Sequence, residues 1–463
     1  MIRHRYSIFP FVICSIVLIL SFCFLQKDDK YLYCGILISL YILLYIGVIQ
    51  IYKYLNHITS FFVFFLTFVR YFLIPLLICI DNDYMSYAPL DSANNAQFFY
   101  NGIYFTMWEA LFFGIFINRA FRKWYHKNQV DNCYYLNLQK GNNSVLYFEI
   151  VILIMLVLIT PSVIENYSLM FNLKSSGDLL VEEEEVASSL SETISVMGVR
   201  CLKILLPIPI SSYYYHKYKL KPKTRYFFIS AASLIFMYAL IMEGNSRNTI
   251  IIPAISLIFI LISLFPHYKK KIWTTMMIII VVISVTSIIF KVFSNNVSNM
   301  VKASSFSYWI MYLEVYFAGI TNMGKVVAAK ALYSYPFNPL IMWNDATQNM
   351  PILSNLSNLN NTSEYYYFKV WSRNDQIIPS SGNGIFYFGY FLGPIIPILI
   401  TKLAYKFESI SNHVKTVPEF IIFTFACATV SYNIFNSVSS LFMKLFITIL
   451  PVVIIVSINK RIK

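Results

Sequence analysis

Two short runs combine residue types suited to gripping a phosphate group. The tripeptide Ser-Arg-Asn occurs at 246–248, inside "EGNSRNTIII" (Glu243 to Ile252), and again at 372–374. A guanidinium group presents its N–H donors in a fixed fork that matches two phosphate oxygens at once. Arg247 stands in a turn of small polar residues, which leaves room for an anionic group to approach. The helix expected after it adds unpaired backbone N–H groups and positive dipole on the same side. Arg373 lies two residues before Asp375, which is either a carboxylate available for proton transfer or that arginine's ion-pair partner. Three further carboxylates, Glu243, Glu314 and Asp345, are candidates for a base acting on a hydroxyl.

A second set of charged residues stands where charge is costly. Arg70 lies in the apolar run "TFVRYFLIPLL", just ahead of Pro75, and Glu109 lies in "MWEALFF" of the next run. A charge at bilayer depth costs about 2.5–3.5 kcal/mol on the insertion scale, so it needs a partner or a cavity. Either Arg70 and Glu109 pair between adjacent helices, or Arg70 opens onto an external cavity. Arg200 and Lys203 are three residues apart and share one helix face. They either snorkel to the lipid headgroups or form a cationic wall for an anionic one. Lys444, near the outer end of the last apolar run, is placed to snorkel.

The elements that must hold these residues follow from composition. Hydrophobic residues make up 58% of the chain and charged ones only 13%, against about 25% charged in soluble domains. Apolar runs near the ~20 residues needed to cross a bilayer recur throughout. The expected fold is therefore all-α, a polytopic membrane protein with about 12 transmembrane helices. The expected spans are 7–25, 31–52, 58–80, 98–118, 145–163, 194–215, 226–243, 249–265, 272–293, 384–404, 418–435 and 440–457. The chain thus divides into helices over 1–293, one large extracytoplasmic loop over 294–383, and three closing helices over 384–463. The first run follows Arg3, His4 and Arg5 like a signal peptide, but no small-residue cleavage site follows it, so it reads as a retained helix.

Orientation comes from the loops. Arg3, Arg5, Lys53, Arg119 to Lys127, Lys217 to Arg225, Lys269 to Lys271, Lys402 to Lys415 and Lys460 to Lys463 delimit the basic segments, and all fall on one face. The positive-inside rule makes that face cytoplasmic, both termini included. The net charge of +14 is then mostly a topology signal with affinity for anionic lipid, and calls for no nucleic acid. The opposite face carries Asp81, Asp83, Asp91 and the run Glu182 to Glu185. That run is a solvated exterior loop or an attractor for cations or substrate. Both Ser-Arg-Asn tripeptides fall on this outer face. In the large loop, "YWIMYLEVYFAGITNMGKVVAAKAL" (Tyr308 to Leu332) has helical character, and Trp309, Tyr312 and Tyr316 would suit a helix lying along the outer membrane surface. The seven cysteines form no CxxC pair, so neither a zinc site nor a disulfide framework is expected. No phosphate-binding loop, dinucleotide fingerprint or cofactor motif is present.

In ordered motifs the chain resembles the Wzy-type polymerases of O-antigen and capsular polysaccharide. "RYFLIP" (Arg70 to Pro75) with Glu109 in the following span is the first. The Ser-Arg turn of "GNSRNTIII" is the second. The third is "SGNGIFYFGYFLGPIIP", where Gly384, Phe388, Gly389 and Gly393 follow the family's G-x-x-x-F-G-x-x-x-G pattern. The family often has an acidic residue after the first of these glycines; here Ile385 stands there. The resemblance implies a glycosyltransferase of the bacterial cytoplasmic membrane. It would polymerise oligosaccharide repeat units carried on undecaprenyl pyrophosphate, without a cofactor, with a flippase and a chain-length regulator as partners.

On that reading Arg247 and Arg373 serve the departing pyrophosphate, Asp375 is a catalytic candidate as base for the acceptor hydroxyl, and Arg70, Arg200, Lys203, Glu109 and Trp371 bind substrate. Trp343, Tyr365, Tyr366, Tyr367 and Trp371 either stack on sugar rings or pack the loop. Gly389 and Gly393 would form a small-residue face on a tenth helical span. Two other readings stay open. One is a transporter such as a lipid-linked oligosaccharide flippase. The other is an O-antigen ligase, although every histidine falls on the expected cytoplasmic side.

Overall fold

In the computed structural model the described residues are 9–24, 29–81, 95–128, 138–139, 144–159, 197–198, 201–202, 204–240, 248–275, 278, 310, 313–314, 317–333, 338–348, 350, 353–370 and 377–461. They are helical almost throughout, and an isolated parallel bridge, Gln139 to Thr416, is the extended pairing among them. Many of the helices overlap the apolar runs, while three lie within the segment 294–383. They are α1 (Phe9–Phe24), α2 (Lys30–Ile49), α3 (Ile58–Ile80), α4 (Asn95–Asn128), α5 (Ser144–Ile159), α6 (Pro207–Leu220), α7 (Thr224–Leu240) and α8 (Asn248–Leu264). Then follow α9 (Ile320–Leu332), α10 (Pro339–Thr347), α11 (Ser363–Val370), α12 (Ser380–Leu392), α13 (Ile395–His413), α14 (Val417–Tyr432) and α15 (Val438–Asn459).

Three of these, α2, α3 and α15, are long and apolar enough to cross a membrane, and α12 with α13 makes a fourth candidate as a broken pair. The chain is thus an all-helical protein with several membrane-length or near-membrane-length apolar helices.

Two compact units form. One comprises Met1–Gln129, Asn299–Tyr405 and Val430–Phe442. The other comprises Val130–Ser298, Lys406–Thr429 and Met443–Lys463.

In the first unit the turn between α2 and α3 packs against the later part of α4, and that part of α4 against α13. Tyr54 stacks edge-on against Phe121 at 4.4 Å, His57 against Trp124 at 5.1 Å, and the Trp124 indole donates to the Tyr405 carbonyl at 3.2 Å. At the other end of α2 and α3, buried Lys30 donates to the Asp81 carbonyl at 3.0 Å. Between them lies an aromatic core of Tyr41, Tyr45, Phe62, Tyr71 and Phe113, with the Tyr45 hydroxyl donating to the Ala110 carbonyl at 3.0 Å.

In the second unit, residues 257–262 of α8 are buried on every side, as an almost unbroken apolar run requires. Phe227 stacks on Tyr268 at 4.3 Å and Tyr268 donates to Thr224 at 3.1 Å, joining the ends of α7 and α8.

Two sequence expectations are corrected. The segment expected to lie along the membrane surface is, over Ile320–Leu332, mostly buried: nine of its residues from Ile320 to Lys330 have no significant exposure. Glycine is the reason. A Cβ on Gly324 would strike the Phe98 carbonyl of α4, and a Cβ on Gly102 of α4 would strike the Ile320 carbonyl. The two backbones therefore approach as closely as bare glycines allow. Trp309, Tyr312 and Tyr316 lie outside the described residues.

The expected tenth span, 384–404, is not one helix. α12 and α13 meet at 116°. Gly389 has φ 82° and ψ 177°, a conformation open essentially to glycine alone. Gly384 and Gly393 abut, since a Cβ on Gly384 would meet the Gly393 carbonyl. The glycines thus make a sharp bend rather than a straight packing face.

Candidate functional site

Two buried polar centres stand out in the first unit. The first is built on α3. Pro75 has no N–H to offer the carbonyl one turn earlier, and the helix widens into a π turn over Val69–Leu73 just before it. Arg70 lies in that turn and is wholly buried. Its Nη2 donates to Glu109 Oε2 of α4 at 2.7 Å, an ion pair with neither side chain exposed. Its Nη1 donates to the carbonyls of Phe317, at 3.1 Å, and Ala318. The Phe435 ring lies 5.1 Å from the guanidinium carbon.

The turn that supplies those carbonyls is strained. Ala318 has φ 50°, in the left-handed region that a side chain disfavours. Gly319 follows as the residue before α9, and Glu314 Oε1 accepts the Thr321 N–H at 3.2 Å, tying the turn to the first residues of that helix. Of the two sequence readings for Arg70, the structure has the interhelical pair. The donors Nη1 and Nη2 point at protein atoms, and the side chain is wholly buried among the described residues. Arg70 Nε and Glu109 Oε1 are left without a partner.

The second centre is built on the residues leading to α12. Asn338 caps α10 by accepting the Leu340 N–H at 3.1 Å, with Pro339 in the first turn where its missing N–H costs nothing. Near the other end of α10, Asp345 is fully buried. It accepts from the Ser363 N–H at 2.9 Å, the Ser363 hydroxyl at 2.5 Å and the Tyr387 hydroxyl at 2.6 Å, with Asn383 Nδ2 at 3.5 Å. Ser363 opens α11, so the carboxylate also sits at the positive end of a helix. Asn383 donates to the Ser363 hydroxyl at 2.6 Å and accepts the Val438 N–H at 3.1 Å. Ser380 donates to the Ile434 carbonyl at 2.5 Å. The neighbouring Glu364 accepts from Ser439 at 2.6 Å.

Burial pushes the Asp345 carboxyl up from 3.8 to about 7, while its donors pull the other way. Burial likewise raises Glu364. Such a group can hold or release a proton near neutral pH, and in this arrangement it clamps four elements, α10, α11, α12 and the start of α15.

The remaining site candidates divide sharply. Arg247, Arg373, Asp375, Arg200, Lys203 and Trp371, together with Glu243, lie outside the described residues. Tyr367 is buried, Tyr365 and Tyr366 half-buried, and Trp343 exposed. Tyr366 donates to Asn361 and packs against Tyr333, a loop-packing role.

Sequence reading passed over Ser363, Asn383 and Tyr387, which carry the Asp345 network. It also passed over Lys330, buried on α9, which donates to the Phe386 carbonyl at 3.4 Å and whose charge burial disfavours. The signal for Asn383 was a polar run, "PSSGNG", opening an otherwise apolar helix; Ser363 and Tyr387 had none. Among the described residues no group of three or more His, Cys, Asp or Glu side chains converges as a metal site. No family model matches this chain, and neither a curated protein nor a solved structure shows significant similarity to it.

Proposed function

We propose that this protein polymerises oligosaccharide repeat units carried on undecaprenyl pyrophosphate, at the outer face of a bacterial cytoplasmic membrane. The growing chain passes from its lipid carrier to a hydroxyl of an incoming lipid-linked unit. The bond from the anomeric carbon to the pyrophosphate oxygen breaks, a glycosidic bond forms, and the hydroxyl proton leaves to a base. Negative charge grows on the departing pyrophosphate, and fixed cations at the membrane boundary stabilise it. Arg247 and Arg373 are the residues suited to that task.

One observation carries the reading. The segment between the apolar helices is not slack. Its turn at Phe317 and Ala318 is gripped by Arg70, and its carboxylates Asp345 and Glu364 are gripped by residues of α12 and of the first turn of α15. A transferase working on two large lipid-linked substrates needs such a fixed external platform.

A second reading has one observation in its favour. The break between α12 and α13, which meet at 116° just after the non-helical residue Gly389, is the kind of discontinuity around which secondary transporters build a binding site.

Arg247→Ala in the host separates the two. Under polymerisation the surface acceptor keeps single repeat units while long chains vanish, seen as collapse of the ladder on a polysaccharide gel. Long chains at normal level would remove Arg247 from the site. Deletion of the gene that traps lipid-linked units on the inner leaflet would instead establish transport.

A further inference from the structure

We infer that the second unit carries a binding site for an anionic phospholipid, in a cavity at the ends of α13, α14 and the C-terminal helix. The cavity encloses about 870 Å³, within the usual range for small-molecule sites. Its rim and its walls differ in chemistry. The rim bears His413, Lys415 and Arg461, all exposed. The walls are apolar: Ile422 and Val456 are buried, and Phe423 and Val453 half-buried. A cationic mouth over an apolar interior complements a lipid phosphate with its chains, and fits neither a free anion nor an uncharged chain alone.

The lone carboxylate in the lining does not cancel the rim. Glu419, in the first turn of α14, accepts from the Thr416 hydroxyl at 2.8 Å. It is 8% exposed and faces its own helix start. The rim itself is fixed in place. Gln139 donates its N–H to the Lys415 carbonyl at 2.8 Å and accepts the Val417 N–H at 3.1 Å, pinning the turn that carries Lys415. His413 Nδ1 donates to the Ser409 carbonyl at 2.6 Å, which leaves Nε2 as the second ring nitrogen. The basic rim belongs to the face that charge counting assigns to the cytoplasm, so the lipid would come from the inner leaflet. The inference does not depend on the polymerase reading.

The test uses the full chain in phosphatidylcholine nanodiscs, with and without phosphatidylglycerol, and reads retained lipid by native mass spectrometry. Phosphatidylglycerol is expected to be retained in preference to phosphatidylcholine. Lys415→Gln and Arg461→Gln should each weaken retention about fivefold, the scale of one basic side chain at an anionic surface, and Lys415→Arg should restore it. All three substitutions fall on exposed positions, and circular dichroism checks that the variants remain folded. Equal retention of the two lipids by the unaltered protein would overturn the site whatever the variants do. Retention unchanged in the Lys415→Gln/Arg461→Gln double variant would overturn it too. Displacement of the lipid by inorganic phosphate, or equal binding of chain-free glycerophosphoglycerol, would show a plain phosphate site and overturn the lipid assignment.

Discussion

The Arg70 and Asp345 centres solve the same problem in opposite ways. Both bury polar groups completely, and both tie the segment between the apolar helices to a helix. At Arg70 the solution is charge against charge, with the guanidinium facing a carboxylate and two carbonyls, yet one nitrogen and one oxygen stay unsatisfied. At Asp345 no cation stands among the described residues. The solution is a set of hydroxyl, amide and backbone donors around a carboxyl whose burial raises it to about 7. The first centre is intolerant of losing either partner, because the survivor is an uncompensated buried charge. The second can respond to protons, because neutralising the carboxyl relieves the desolvation that raised it.

The largest effect should therefore come from the first centre. Glu109→Gln or Arg70→Ala alone should lower stability by about 3–5 kcal/mol, the usual cost of stranding one half of a buried pair. The double replacement Arg70→Met/Glu109→Leu should recover most of that loss. Thermal unfolding of the purified proteins in detergent measures both. If the two single variants and the double lose equally, the pair is not what holds Phe317 and Ala318, and the contrast between the centres falls.

The second centre makes a prediction about pH. The folded Asp345 binds its proton up to about 7, whereas the unfolded chain releases it near 3.8. Between those values the folded state holds more protons, so stability falls as pH rises. The contribution is complete below about pH 4 and lost by the time pH passes about 7, and it amounts to a few kcal/mol in all. Asp345→Asn removes this slope. The measurement is the unfolding temperature across the window, from about pH 3.5 to about pH 8, compared between the unaltered chain and Asp345→Asn. Parallel profiles would mean that the carboxyl titrates as an ordinary exposed one.

The two centres also differ in how far the sequence disclosed them. Arg70 and Glu109 were visible because hydropathy is a local property, and a charge inside an apolar run advertises its own cost. The same local signal placed α2, α3 and α15 within a few residues. Asp345 was visible only as one of several carboxylates. Its partners Ser363, Asn383 and Tyr387 come from two other helices, and nothing in the spacing between 345, 363, 383 and 387 announces that they meet. The burial of α9 was hidden for a related reason. Two glycines more than two hundred positions apart in sequence, Gly102 and Gly324, set that contact, and each alone reads as an ordinary helix glycine. The bend after α12 was misread because the 3.6-residue period put Gly389 and Gly393 on one face, while the backbone at Gly389 leaves the helix altogether.

That bend supplies the smallest and most selective prediction. Asn383 and Tyr387, two of the groups around Asp345, sit on the arm of α12 before Gly389. Arg70 has no contact with that arm among its hydrogen bonds. Gly389→Ala forces a side chain into a φ of 82° and should cost about 1–3 kcal/mol. If the bend holds the arm in place, the same substitution should also blunt the pH dependence attributed to Asp345, since Tyr387 and Asn383 would shift together. The Arg70→Ala penalty should be unaltered in the Gly389→Ala background, because the two sites share no hydrogen-bond partner. A pH profile untouched by Gly389→Ala would mean that Ser363 alone, through its N–H and hydroxyl, sets the environment of Asp345. Non-additivity with Arg70→Ala would mean that the two centres form one connected system rather than two independent clamps.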